Sequence, residues 1–258
     1  MDRMDRTDPK ERMILALDVE HFQEAQKLVK EFKDYVGMFK IGKQLFTHCG
    51  PKIVDFIKMN KAKVFLDLKY HDIPNTVSKA AVEAMKLGVD MFNVHASGGF
   101  AMMQQTRSTL LEASKKLLMD RPKIIAVTVL TSIDDAELQR LGLNVTAAEW
   151  TRTLTLLTKE AGLDGVVASG QDIETIRSLC GKAFIIVTPG VRLAEARQAM
   201  EVKDVKDDQK RVITPGEAVL KGATYIVLGR TVLTSKEPKA TLKQVEEEIR
   251  RASSGQQK

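Results

Sequence analysis

Cysteine is scarce in this sequence, and its scarcity excludes two kinds of stabilising site. The two cysteines, Cys49 and Cys180, lie far apart, and no Cys-x-x-Cys pair occurs. A disulfide framework or a cysteine-rich zinc site needs more cysteines at closer spacing. We therefore expect reduced thiols and no bound metal.

Long apolar runs are absent as well. No stretch approaches the roughly 18 apolar residues that a membrane span needs, and the first residues lack the apolar region of a signal peptide. This pattern predicts a cytoplasmic protein with no membrane partner.

Aromatic residues are few, with one tryptophan and three tyrosines available for stacking on bases. The 40 lysines and arginines exceed the 34 acidic residues, which gives a net charge of +6. Such an excess suits either nucleic acids or small anions. Because the basic residues are scattered among acidic ones and no nucleic-acid motif occurs, we expect a small anionic ligand and no nucleic-acid partner.

The sequence does contain a regular alternation of short apolar segments and helical patterns. Val64 to Leu68 is a nearly continuous apolar run, typical of a strand that a parallel sheet buries on both faces. The predicted strands are Met13–Asp18, Val36–Gly42, Lys63–Leu68, Asp90–His95, Lys123–Leu130, Gly165–Ala168, Phe184–Thr188 and Tyr225–Leu228. The predicted helices are Glu20–Phe32, Leu45–Met59, Pro74–Leu87, one that follows Gly99 and ends near Met119, Ala147–Ala161, Ile173–Leu179 and Leu242–Ile249.

Eight strands that alternate with helices predict a parallel sheet with right-handed crossovers. At 258 residues without a domain break, we expect this sheet to close as a single-domain (β/α)8 barrel, the TIM barrel, over residues 13–251. Residues 1–12 and 252–258 are expected to be a flexible leader and tail. An open doubly wound sheet is the competing architecture, but no Gly-x-Gly-x-x-Gly fingerprint follows a strand.

Charged residues stand at the ends of the first three predicted strands: Asp18, Lys40, Asp67 and Lys69. The active site of such a barrel lies at the C-terminal ends of its strands, so these side chains are expected to converge. Asp67 and Lys69 are expected to point the same way because strand side chains alternate. Charges gathered in a cleft indicate a functional site.

A less specific interpretation of the same stretch remains open. Asp67 and Lys69 can be an ion pair that closes a strand, and Asp72 or Thr76 can cap the helix that Pro74 opens.

The second half of the chain offers an anion site. Thr188-Pro189-Gly190-Val191-Arg192 follows the seventh strand, and Gly229-Arg230 follows the eighth. Barrels often bind phosphate with these two loops, through backbone N–H groups and an arginine. The pattern predicts a phosphorylated ligand, although glycine turns with incidental arginines would look alike.

Several longer motifs occur in a fixed order along the chain. They are Leu-Asp at 17 to 18, Phe-Lys-Ile-Gly at 39 to 42, Leu-Asp-Leu-Lys-Tyr-His-Asp-Ile-Pro-Asn-Thr-Val at 66 to 77, Val-His-Ala-Ser-Gly-Gly at 94 to 99, Val-Thr-Val-Leu-Thr-Ser at 127 to 132, Val-Thr-Pro-Gly-Val-Arg at 187 to 192, Asp-Gln-Lys-Arg at 208 to 211 and Leu-Gly-Arg at 228 to 230. As a set they resemble the orotidine 5'-phosphate decarboxylase family, of the bacterial type.

The resemblance implies roles for particular residues. Asp18 and Lys40 would hold the ribose hydroxyls, and Thr131 the pyrimidine edge. Gln209, Gly229 and Arg230 would hold the phosphate, beside the loop that carries Pro189 and Arg192, and the connection from Arg192 to Arg211 is the expected lid. Thr76 and Asp72 would act from a partner subunit, which implies a homodimer.

The implied reaction is the cofactor-free decarboxylation of orotidine 5'-phosphate to UMP in pyrimidine biosynthesis. Lys69 is expected to stabilise the carbanion at C6 and then protonate it, within a network of Asp67, Asp72 and Lys40. Two alternatives remain. Related sugar-phosphate enzymes use a divalent metal, typically with a glutamate where this chain has Lys40, and a barrel that only binds nucleotides or phosphates belongs to a different class.

Overall fold

The computed structural model describes residues 8–193 and 212–255. Eight parallel strands form a closed barrel in chain order, from β1 to β8 and back to β1. The strands are β1 (Met13–Ala16), β2 (Met38–Gly42), β3 (Val64–Tyr70), β4 (Met91–His95), β5 (Lys123–Val127), β6 (Gly165–Val167), β7 (Ile185–Thr188) and β8 (Tyr225–Leu228). This confirms the predicted TIM barrel.

Helices cover the outside of the barrel. Those in the described residues are α1 (Phe22–Phe32), α2 (Lys43–Cys49), α3 (Lys52–Met59), α4 (Pro74–Lys86), α5 (Phe100–Leu117), α6 (Asp135–Arg140), α7 (Ala147–Glu160), α8 (Ile173–Cys180), α9 (Pro215–Lys221), α10 (Arg230–Leu233) and α11 (Pro238–Gly255), with short 3-10 turns at Pro9–Arg12 and Ala96–Gly98. None of the helices in these residues is long and apolar enough to cross a membrane.

The alternation of strand side chains separates two apolar layers. Inward residues fill the barrel, among them Met38, Phe65 and Met91, while outward residues pack against the helices. Two residues further along β2, β3 and β4, the inward position is polar. It holds Lys40, Asp67 and Asn93. The apolar filling of the barrel therefore gives way to polar side chains towards the C-terminal ends of these strands.

The structure differs from the predicted elements at several places, among them the following three. The predicted helix Leu45–Met59 is two helices, because Gly50 with φ of 61° and Pro51 interrupt it. Residues 9–12 form a 3-10 helix within the expected leader, and Lys63 pairs there with Glu11 at 2.7 Å. Helix α11 continues to Gly255, beyond the expected domain end at residue 251.

Candidate active site

A cavity of about 300 Å³ opens at the C-terminal ends of the strands. Predicted residues from both halves of the chain line it, namely Asp18, Lys40, Asp67, Lys69, Thr131, Pro189, Arg192, Gly229 and Arg230. Closure of the sheet into a barrel explains this meeting, because β8 pairs with β1 and the ends of β1 to β3 therefore share one rim with those of β7 and β8.

Four of these side chains form an alternating chain of charges. Lys40 Nζ lies 3.3 Å from Asp18 Oδ1 and 3.2 Å from Asp67 Oδ2. Lys69 Nζ contacts the other oxygen, Asp67 Oδ1, at 2.5 Å. The side chains of Lys40 and Asp67 are only 12% and 10% exposed, so water screens them little. Each buried charge is therefore compensated by an opposite one.

The neighbouring charges set the pKa values of Lys40 and Asp67. Burial is the largest influence on Lys40 and lowers its pKa, but the carboxylates of Asp67 and Asp18 together raise it above the ordinary value. Burial likewise raises the pKa of Asp67, yet Lys40, Lys69 and a hydrogen bond from Asn93 hold it below the ordinary value. Lys40 and Asp67 are thus held in their charged forms at neutral pH.

Lys69 reaches Asp67 by a different route from the one expected. The pairing of β3 with β4 shifts register between Leu66 and Tyr70, and Lys69 has a φ of 53°. A bulge of this kind re-aims side chains. The two charges therefore meet across an irregular stretch of β3, where Lys69 departs from the extended conformation.

Asp72 and Thr76 do not line the cavity. Both are exposed, and Asp72 Oδ1 accepts the backbone N–H of Ile73 at 2.6 Å. Neither caps α4, whose N-cap position at Ile73 has no side-chain cap hydrogen bond. The capping interpretation is therefore wrong. Within one subunit, Asp72 and Thr76 also lie outside the charged array formed by Asp18, Lys40, Asp67 and Lys69.

The expected phosphate side of the cavity is built from two loops. Arg192 is 7% exposed, and its Nη1 donates to Val191 O at 3.1 Å and to Thr231 Oγ1 at 3.4 Å. Gly229 lies close to Asp18, since a Cβ on it would stand 3.4 Å from Asp18 Oδ2. Gln209 lies outside the described residues, as does the expected lid between Arg192 and Arg211 from residue 194 onwards.

Asn93 and Ser169 are site residues that the sequence interpretation missed. Ser169 lines the cavity after β6. Asn93 is buried and bonds Asp67 Oδ1 at 2.7 Å. The signal for Asn93 was a polar residue inside an apolar strand, at the same inward position that Lys40 and Asp67 occupy on their strands.

His95 lies at the rim beside the lysines, as a neighbour of the array. Burial, His71, Lys43 and Lys69 together lower its pKa to about 4. Its ring centroid is 5.4 Å from that of His71. His95 is therefore neutral at neutral pH and adds no charge to the site.

Comparison with known proteins gives consistent matches over nearly the whole chain. A sequence model described as the Orotidine 5'-phosphate decarboxylase / HUMPS family matches residues 11–245. Orotidine 5'-phosphate decarboxylases of Geotalea uraniireducens and Syntrophus aciditrophicus are each 46% identical to this chain, over 95% of it and 98% and 95% of their own lengths.

Solved structures also match nearly the whole chain. The orotidine 5'-phosphate decarboxylase of Lactobacillus acidophilus has a TM-score of 0.77 and 30% identity, over 92% of this chain and 98% of that one. An uncharacterized conserved protein of Geobacillus kaustophilus has a TM-score of 0.76 and 35% identity, over 92% and 99%. The chain therefore belongs to the Orotidine 5'-phosphate decarboxylase / HUMPS family.

Proposed function

We propose that this protein converts orotidine 5'-phosphate to UMP and CO₂, a step of pyrimidine biosynthesis. The alternating chain of charges from Asp18 through Lys40 and Asp67 to Lys69, which lines the cavity, is the observation that carries the proposal. Family membership supports the same reaction.

The chemistry requires a cation at one carbon atom. When the bond from C6 to the carboxylate breaks, its electron pair stays on C6 in the plane of the ring, outside the π system. The substrate offers no electron sink, so a fixed ammonium group is the most effective stabiliser. Lys69 would lie beside C6, stabilise the developing charge and then donate the proton that forms the new C–H bond.

Asp67 would act on the bound substrate, before the bond to the carboxylate breaks. A carboxylate held 4 Å from the substrate carboxylate is repelled by about 4 kcal/mol at an effective dielectric of 20. This repulsion disappears as CO₂ leaves, so it favours the transition state over the bound substrate. Contacts of Asp67 with Lys40 and Lys69 support this arrangement, because they keep Asp67 ionised and in place.

The remaining cavity residues would bind the parts of the substrate that do not react. The loops with Pro189, Arg192, Gly229 and Arg230, together with Gln209, would take the phosphate, and Thr131 the pyrimidine edge. Asp18 and Lys40 would take the ribose hydroxyls. Binding energy at the phosphate can hold the ring against Lys69 and draw a lid over it.

A homodimer completes the proposal. Asp72 and Thr76 are exposed near the rim, where a second copy of the chain would receive them in its own cavity. Asp72 would then extend the alternating array next to Lys69 of the other subunit. The cytoplasmic location stays a prediction.

The test is the fall in ultraviolet absorbance of orotidine 5'-phosphate on mixing with the protein in EDTA. We expect conversion to UMP without added metal, and a loss of at least about 10⁴-fold in kcat for Lys69→Ala, because Lys69 would supply both charge and proton. Lys86→Ala, which breaks only the exposed pair with Glu83, is the matched control and keeps full activity.

A different result would favour a metal-dependent relative. If the protein leaves orotidine 5'-phosphate unchanged and is active only when magnesium and a sugar phosphate are supplied, a metal-dependent activity replaces the decarboxylase proposal. The ammonium of Lys40 between two carboxylates argues against that outcome, because it is a poor neighbour for a divalent cation.

A further inference from the structure

Asn93 joins two residues of the charged array from the neighbouring strand. Its Nδ2 donates to Asp67 Oδ1 at 2.7 Å, and its Oδ1 accepts the backbone N–H of Lys69 at 2.8 Å. Because a carboxylate only accepts and an N–H only donates, these partners fix the orientation of the amide. Asn93 is 1% exposed, so no water competes for either bond.

The strand pairing explains why an amide is needed there. Leu66 pairs with Phe92 and Tyr70 with Val94, so residues 67–69 of β3 face the single residue Asn93 of β4. The extra residues interrupt the backbone ladder. The side chain of Asn93 supplies the acceptor that the ladder would otherwise have given to the Lys69 N–H.

The backbone of Lys69 is held in an unfavourable conformation. Its φ of 53° lies in the left-handed region, which a residue with a Cβ rarely adopts. Such a conformation persists only where the surroundings impose it, and it is typical of active sites. The hydrogen bond to Asn93 is a direct restraint on this residue.

We propose that Asn93 is a positioning residue for the reaction: it holds the β3 bulge so that the Lys69 ammonium and the Asp67 carboxylate face the reacting carbon. The inference rests on the proposed decarboxylase function. Asn93 does not line the cavity and acts through Asp67 and Lys69 alone.

Asn93→Leu removes both hydrogen bonds and keeps the branched shape and the number of heavy atoms of the side chain. We expect kcat for orotidine 5'-phosphate to fall about 100-fold, since small displacements of catalytic groups have effects of that size. KM should change less than about threefold, because the phosphate and ribose contacts are untouched. Thr106→Val is the matched control: it removes a buried hydroxyl that donates to Met102 O at 2.7 Å in α5, and kcat should stay unchanged.

Asn93→Asp gives a readout that simple packing would not produce. A carboxylate next to Asp67 shares a proton with it, and its pKa rises. Once protonated, the carboxyl group introduced by Asn93→Asp can again donate to Asp67 and accept from Lys69. The kcat of Asn93→Asp relative to the unsubstituted protein should therefore rise at least about tenfold from about pH 8 to about pH 5. A ratio that does not change with pH would overturn the proposal.

Crystal structures of the unsubstituted protein and of Asn93→Leu separate this inference from the proposed function. If the unsubstituted protein fails to convert orotidine 5'-phosphate, the decarboxylase proposal is wrong, and the structures decide on Asn93. Lys69 leaving the left-handed region and separating from Asp67 supports the positioning role. An unmoved Lys69, or an active protein whose Asn93→Leu variant keeps its kcat, overturns it.

Discussion

Asp67 is the residue that holds two ammonium groups together, since Lys40 and Lys69 each contact one of its oxygens. Burial raises its pKa, but the two lysines and Asn93 outweigh burial, so the folded-state pKa lies below the ordinary 3.8. Ionised Asp67 therefore stabilises the folded state fully above pH 3.8. This contribution is lost as the pH falls from there through the lower folded-state pKa.

Asp67→Asn imitates the protonated side chain, so its effect on stability should depend on pH. We expect it to lower the free energy of unfolding by about 3 kcal/mol near neutral pH, because it leaves buried ammonium groups without their shared carboxylate. The difference from the unsubstituted protein should shrink below pH 3.8. Urea unfolding from about pH 7 to about pH 3 measures both effects.

Glu83→Gln is the control for the loss of one negative charge. Its pair with Lys86 is exposed and should contribute less than about 1 kcal/mol. A destabilisation of Asp67→Asn that is the same at every pH would contradict the linkage. So would an Asp67→Asn variant more stable than the unsubstituted protein near neutral pH.

At the scale of the elements, three of the even strands begin in the same way. The residue before β4, β6 and β8 uses a side-chain oxygen to accept a backbone N–H of the preceding strand. The pairs are Asp90 with Val64, Asp164 with Ile124 and Thr224 with Ile186, at 2.8, 2.8 and 3.0 Å. These bonds lie at the N-terminal end of the barrel, opposite the cavity, where they support the sheet and take no part in chemistry.

Asp164→Asn should therefore reduce stability without reducing activity. Asp164 also receives two hydrogen bonds from Arg121, at 2.6 and 2.7 Å, and its side chain is 15% exposed. Losing charge-assisted bonds at such a site should cost about 2 kcal/mol of unfolding free energy. Urea unfolding and kcat of the same preparation check the two halves of the prediction.

Asp90→Asn tests whether the loss of stability becomes smaller at a more exposed site. Asp90 accepts a strand N–H in the same way, but its ion pair with Lys58 is more exposed, at 31% and 37%. We expect a smaller loss of about 1 kcal/mol, because solvent screens this pair more strongly. A larger loss of stability for Asp90→Asn than for Asp164→Asn would contradict the role of solvent screening. A fall in kcat for either variant would contradict the claim that this end of the barrel takes no part in chemistry.

At the scale of the whole molecule, the proposed dimer predicts that inactive variants complement each other. Lys69→Ala and Asp72→Ala should each lose activity alone. In a hybrid dimer, one cavity carries both defects and the other carries none. Because random exchange makes half of the dimers hybrids, mixed and refolded subunits should recover about a quarter of the activity of the unsubstituted protein.

The control for this experiment is a mixture in which complementation is impossible. Lys69→Ala mixed with Lys69→Ala,Asp72→Ala should stay inactive, since no cavity then contains an intact Lys69. Recovery in neither mixture, together with a monomer in sedimentation, would mean that Asp72 acts within its own chain or not at all.

Much of the fold follows from local pattern. Each strand is a short apolar run and each long helix has its own apolar periodicity, so the barrel could be predicted from segments read one at a time. The errors are local too. Helix α9 was missed although Thr214 and Glu217 form a capping box and Pro215 opens the helix. The break at Gly50 and Pro51 was overlooked because the apolar pattern continues across it.

The candidate site also has a part that the sequence predicts and a part that depends on tertiary structure. Charged residues at strand ends and the glycine-arginine loops could be placed at one rim from the sequence, because closure of a parallel barrel brings all strand ends together. The β3 bulge, the left-handed Lys69 and the amide of Asn93 depend on how β3 and β4 pair. Asn93 and Asp67 are 26 positions apart along the chain, and a contact of that kind has no local signature. Only the packed barrel decides which buried polar group satisfies which partner.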